Sequence, residues 1–190
     1  MRGALVLTAG LALAAVALSP LPAAGAACAG PAKDCRRGRL ITIGVKAKGP
    51  SHALGGARVT YTLRYSMTWM ESFAPYWGSF WVGGRFPKGA RGPARATVFD
   101  ASGRRFGAFP CRRYADGVWC DVGGDIPHRG RVVLTARLAR HAGTAVARLG
   151  FDSFDGLNER EAARDDGRAV SREKYCNFRF VKTVTTMVRL

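Results

Sequence analysis

The side chains able to do chemistry in this 190-residue chain are few and widely spread. His52, His128 and His141 each lie in a connection rich in Gly, Pro or Ala, and none has a second histidine or a cysteine at metal-ligand spacing. Gly78-Ser79-Phe80 lacks the second glycine of a nucleophile elbow and stands among aromatics rather than on a strand-to-helix turn. Asp152 and Asp155 followed by Gly156 start like a calcium loop, but later carboxylates do not fall at the ligand positions, and a solvated polar turn accounts for them more simply. No catalytic residue, cofactor or metal site is expected, and the chain is expected to bind or to space rather than to catalyse. The alternative from another class is a secreted protease inhibitor, which a rigid loop held by Cys111 and Cys120 would suit, or a small hydrolase with an unrecognised site.

Five cysteines, Cys28, Cys35, Cys111, Cys120 and Cys176, invite disulfide chemistry before metal chemistry if the chain is exported. Cys111 and Cys120 bracket a hairpin whose Asp116-Gly117 turn would set the two sulfurs opposite each other. Cys176 then pairs with Cys28 or Cys35, or stays free. A bond from Cys35 to Cys176 is the expected second bridge, because it would staple the start of the first strand to the start of the last and close a loop worth roughly 4 to 5 kcal/mol. The alternative, Cys28 with Cys35, leaves Cys176 alone. Lipid modification of Cys28 would restore an even count, but Gly25 stands where lipoprotein processing usually wants a bulky residue.

Aromatic side chains supply the densest signal. Trp69, Phe73, Tyr76, Trp77, Phe80, Trp81 and Phe86 crowd one stretch that Pro75 and Gly78 mark as a loop. These rings either fill or cap the core, or form an exposed platform for a sugar ring or an apolar partner, since flat rings give contact area at low entropic cost. The candidate binding surface is therefore Trp69, Phe73, Tyr76, Trp77, Phe80 and Trp81.

The elements that must carry these residues begin after an export signal. Arg2, the uncharged apolar run Ala4 to Leu18 and the small residues around Gly25-Ala26-Ala27 have the order of a cleavable secretory peptide over residues 1–27. The run is too short for a transmembrane helix, which needs about 20 apolar residues. Residues 28–190 are expected to form a single secreted domain. Within them, Val59, Tyr61, Leu63, Tyr65 and Met67 alternate with Arg58, Thr60, Thr62, Arg64 and Ser66, the pattern of a half-buried strand. Ile41 to Lys48 alternates likewise, and Gly49-Pro50-Ser51 breaks the two apart. Further strands are expected at 80–82, 94–99, 105–111, 118–122, 131–140, 144–151 and 175–188, with one helical turn at most near Asn158 to Ala163. Short strands with turn signals between them describe an all-β sandwich of about seven to eight strands.

Charge adds a class of partner. Thirty basic residues against thirteen acidic give +17, of which only Arg2 leaves with the signal peptide. A field of this sign favours anionic partners: nucleic acid, anionic lipid or the phosphate-rich polymers of a cell wall. The 24 arginines and 6 lysines are also what a GC-rich genome produces. Apart from Arg36-Arg37, Arg104-Arg105 and Arg112-Arg113 the charges are scattered along the chain, which argues against a dedicated nucleic-acid groove. The expected partner is an anionic cell-wall polymer or carbohydrate, held weakly and without sequence selectivity. Oligomeric state is not legible.

Gly49-Pro50, the strand Arg58 to Leu63, the Cys111–Cys120 hairpin and Gly130-Arg131-Val132-Val133-Leu134-Thr135-Ala136 together resemble the conserved-repeat, immunoglobulin-like domain of bacterial secreted and surface proteins over about residues 40–170. That family's polar turn would fall in Asp152 to Gly167. The resemblance implies an immunoglobulin-like β-sandwich acting as a spacer or adhesive module at the cell envelope. The chain departs from the pattern in its aromatic segment Trp69 to Phe86, in lacking a closing Asn-Asn, and in a C-terminal strand extension over 175–190.

Overall fold

The computed structural model describes residues 41–69, 78–155 and 177–190. Ten strands fill them: β1 Ile41–Lys48, β2 His52–Leu54, β3 Arg58–Trp69, β4 Gly78–Arg85, β5 Arg95–Asp100, β6 Arg105–Tyr114, β7 Gly117–Gly123, β8 Arg129–Arg137, β9 Gly143–Asp155 and β10 Asn177–Arg189. They hydrogen-bond in the order β1-β3-β8-β5-β6-β7-β4-β9-β10-β2, and every pairing is antiparallel except β10 with β2. The expected alternation holds. Val59, Tyr61, Leu63, Tyr65 and Met67 are buried, Arg58, Thr60, Arg64 and Ser66 are exposed, and Thr62 is half-buried.

The described residues are all-β as expected, and among them ten strands form one curled sheet where about seven to eight strands were expected. The bend lies in β6, whose first part pairs with β5 from Arg105 to Pro110 and whose second part pairs with β7 from Cys111 to Tyr114. Pro110 marks the change of partner: it brings no N–H to the ladder. The half β1-β3-β8-β5 thereby turns to face the half β7-β4-β9-β10, and β1 comes to lie against β10 and β9. One core fills the space between them. Tyr65 of β3 packs on Phe151 of β9 with ring centroids 4.9 Å apart, and Tyr61 meets Phe86 edge-on at 5.9 Å.

Three further strand boundaries differ from the sequence expectation for local reasons. β2 was not expected, because its three residues carry no period; it forms by pairing in parallel with Met187 to Arg189. β4 runs from Gly78 to Arg85 where a loop was expected up to Phe80, and Gly83 and Gly84 are tolerated inside it because both adopt positive φ, at 147° and 138°. The loop of the cysteine hairpin is Ala115-Asp116, one residue earlier than an Asp116-Gly117 turn, with Gly117 already paired to Tyr114. Asn158 to Ala163, the signal segment and Cys28, Cys35 and Cys176 lie outside the described residues.

Candidate functional site

The outer face of the first half of the sheet is built from positions that alternate with the core. On β3 these are Arg58, Thr60, Thr62, Arg64 and Ser66; on β8, Arg129, Arg131, Val133, Thr135 and Arg137; on β1, Lys46 and Lys48. None of these three strands contains an acidic residue. Register turns the alternation into rows. Lys46, Arg64 and Arg131 stand directly opposite one another across three adjacent strands. Arg58 and Arg137 stand opposite each other, and Arg91 bridges to Arg137 on the far side. All six are exposed.

Such rows are energetically adverse. Cross-strand neighbours have Cβ atoms about 5 Å apart, and like charges there destabilise a sheet. Only local compensation is visible among the described residues: the Arg131 guanidinium lies 4.5 Å from the centroid of Phe99, its neighbour on β5, and Arg137 Nε donates to the carbonyl of Gly56 at 2.9 Å. No carboxylate of the described residues lies within ion-pairing distance of any of the six. Between the two rows the face is neutral over β3 and β8. Thr60 and Thr135 share a hydrogen bond at 3.3 Å, with Thr62 and Val133 beside them.

The outer face of the second half is different. Asp121, Trp81, Asp152 and Arg179 form one row across β7, β4, β9 and β10. Asp152 is fully buried; Arg179 donates to it at 3.2 Å and to Asp116 at 2.7 Å, and lies 5.4 Å from the ring centroid of Trp119. Trp81 meets Tyr114 edge-on, and Trp81 and Trp119 form a small second core with Tyr114 and Val181 against it. Burial pushes the Asp121 carboxyl above its ordinary range, and the N–H of Gly123, donating to it at 2.9 Å, offsets this in part. Across the main core, burial and then the charge of Asp100 push the Tyr65 hydroxyl up to about 12.

The residues singled out in the sequence are redistributed by this arrangement. Cys111 and Cys120 pair in register on β6 and β7 with Cα atoms 3.9 Å apart and are bonded to each other. Phe80 lies fully buried in the main core and Trp81 is 6% exposed, so neither ring is part of an exposed platform. The alternation of β4 presents one ring to each face: Phe80 enters the main core, and Trp81 packs with Trp119, Tyr114 and Val181 on the other face. Phe73, Tyr76 and Trp77, the side chain of Trp69, and the expected Cys35–Cys176 pair lie outside the described residues. Asp152, taken as part of a solvated turn, is instead the buried partner of Arg179. Among the described residues no three His, Cys, Asp or Glu side chains gather as metal ligands. An open cleft of about 550 Å³ between β1 and β10 is edged by Lys46, Arg64, Arg179 and Lys182. The six residues of the cationic face are spread from Lys46 to Arg137 along the chain, and only strand register brings them into rows.

No family model matches the chain, and no curated protein does. Solved structures similar to it include AggA, the major subunit of aggregative adherence fimbriae type I from Escherichia coli, at 8% identity and a TM-score of 0.37, covering 78% of this chain and 95% of that one. The C-terminal domain of the Streptococcus agalactiae AgI/II polypeptide BspA follows at 12% identity and a TM-score of 0.36, covering 77% of this chain and 49% of its own. AvmM, which catalyses macrocyclization in alchivemycin A biosynthesis, is similar at 10% identity and a TM-score of 0.34 over 76% of this chain and 88% of its own. The described residues are all-β by their own strand pairing.

Proposed function

We propose that the protein is an exported, non-enzymatic binding module of the cell envelope whose working surface is the outer face of β1, β3 and β8, and whose partner is an anionic cell-wall polymer. One observation carries this: basic side chains stand directly opposite each other in two rows, on strands without a single acidic residue. A sheet has no packing reason to set like charges side by side, and rows of them that no carboxylate among the described residues balances mark a functional surface. Phosphate groups seated between the guanidinium groups would turn the repulsion into charge-assisted hydrogen bonds, for which the planar arginine fork is suited. The net charge of +17 and the leader-like residues 1–27 point to the compartment where wall polymers are the abundant anions.

The test is retention of the exported protein on isolated cell walls across a salt series. Contacts that displace counterions weaken steeply with salt, so retention should fall from low to high ionic strength. At about 0.15 M the Debye length is about 8 Å, and only side chains lying on the polymer still contribute. Arg64→Gln with Arg131→Gln should shift the elution to lower salt. Retention that ignores both salt and these substitutions would defeat the proposal. Trp81 is no probe of an aromatic alternative, because replacing a buried ring would test folding instead.

A further inference from the structure

On the reading that this face binds a polyanion, we infer that it is a two-bar site, spaced for one linear phosphate polymer lying along β3 and β8. Lys46, Arg64 and Arg131 form one bar and Arg58, Arg137 and Arg91 the other. Each bar spans three neighbouring chain segments, about 10 Å at the ordinary strand spacing, and the distance along β3 from Arg58 to Arg64 is about 20 Å. The strip between them is uncharged on β3 and β8. Thr60 and Thr135 bond to each other there, and the nearest cations, Lys48 and Arg95, stand to either side on β1 and β5.

This spacing has a consequence that a uniformly basic surface lacks. A compact anion, or a chain shorter than the gap, engages one bar at a time. A longer chain engages both, and its second contact is intramolecular at a high effective concentration. The hydroxyls of the middle strip offer hydrogen bonds to the linking groups of the polymer while adding no charge. Affinity should therefore rise in a step with polymer length rather than in proportion to charge.

The probes are tripolyphosphate and a size-fractionated series of longer polyphosphates, titrated calorimetrically into the full chain expressed with its leader and purified from the exported fraction. The expected result is a step of about tenfold or more in affinity once the extended length passes about 20 Å. Arg64→Gln with Arg131→Gln, or Arg58→Gln with Arg91→Gln, should each abolish the step, while changing tripolyphosphate affinity no more than about twofold, since one bar remains. Arg137 is left in place because its side chain also holds Gly56. Unchanged or raised melting temperatures establish that the variants fold. Affinity climbing smoothly with length, with each pair of substitutions costing the same at every length, would overturn the two-bar site and leave polyanion binding intact. Failure of every chain length to bind would overturn both.

Discussion

Arg179 is the side chain on which the second face depends most. It carries the charge opposite a carboxylate that is fully buried, reaches Asp116 in the cysteine hairpin, and lies over Trp119. Replacing one partner of a buried ion pair costs more than replacing both, because the remaining charge keeps its desolvation penalty. Arg179→Met should thus lower stability by about 1 to 3 kcal/mol in urea unfolding, and adding Asp152→Asn should recover part of that loss. A double variant less stable than Arg179→Met would refute the account. Asp121 makes the opposite prediction with pH. Its carboxyl is raised in the folded chain, so the ionised form is disfavoured there; stability is greatest where the group is protonated in both states and falls as pH rises from the ordinary carboxylate range through the raised value. Asp121→Asn keeps an oxygen for the Gly123 N–H and should outlast the wild type at neutral pH, the difference vanishing in acid. A gap of equal size at both pH values would assign the effect to packing.

At the scale of elements, the hairpin β6–β7 and the turn from β1 into β2 set the geometry. The Cys111–Cys120 bond spans two strands already in register, so it constrains the unfolded chain more than it shapes the folded one. Reduction should cost about 2 to 3 kcal/mol and leave the β-sheet circular dichroism in place; loss of the sheet would mean that the bond creates the register rather than tethering it. Gly49 is fixed by space rather than by backbone angle. A Cβ there would stand 2.7 Å from the Tyr61 ring and 3.0 Å from Val184, both in the core, so Gly49→Ala should destabilise by about 1 to 3 kcal/mol. Next to it, Thr186 donates to the carbonyl of Pro50 at 2.8 Å and ties the same turn to β10. The glycine-proline pair is where β1 and β10 meet.

For the molecule as a whole, the cationic face should be a measurable burden in the absence of ligand. Directly opposed like charges cost about 0.2 to 1 kcal/mol per pair. Added salt screens them, so wild-type stability should rise between low and physiological ionic strength. Arg64→Gln should raise the melting temperature at low salt and flatten that dependence. A lower melting temperature for Arg64→Gln would mean that the row is held together by contacts other than its missing partner.

How much of this was legible depends on the range of the interaction. Alternation is local: the period of two put Val59 to Met67 inward and Arg58 and Arg64 outward, and the spacing of Cys111 and Cys120 about a tight turn fixed their pairing. By the same logic the sequence showed an all-β chain with its basic residues facing water. It could not show which strands are neighbours, because pairing is decided by the closure of a core contributed from distant segments. The rows Lys46–Arg64–Arg131 and Arg58–Arg137–Arg91 therefore existed in the sequence only as scattered charges. The aromatics left two alternatives open for a related reason: whether a ring is a platform or a core residue depends on what covers it in the folded chain, and Phe80 and Trp81 take the buried alternative. Sequence decided the inward or outward sense of each side chain, and tertiary pairing alone decided which outward side chains share a surface.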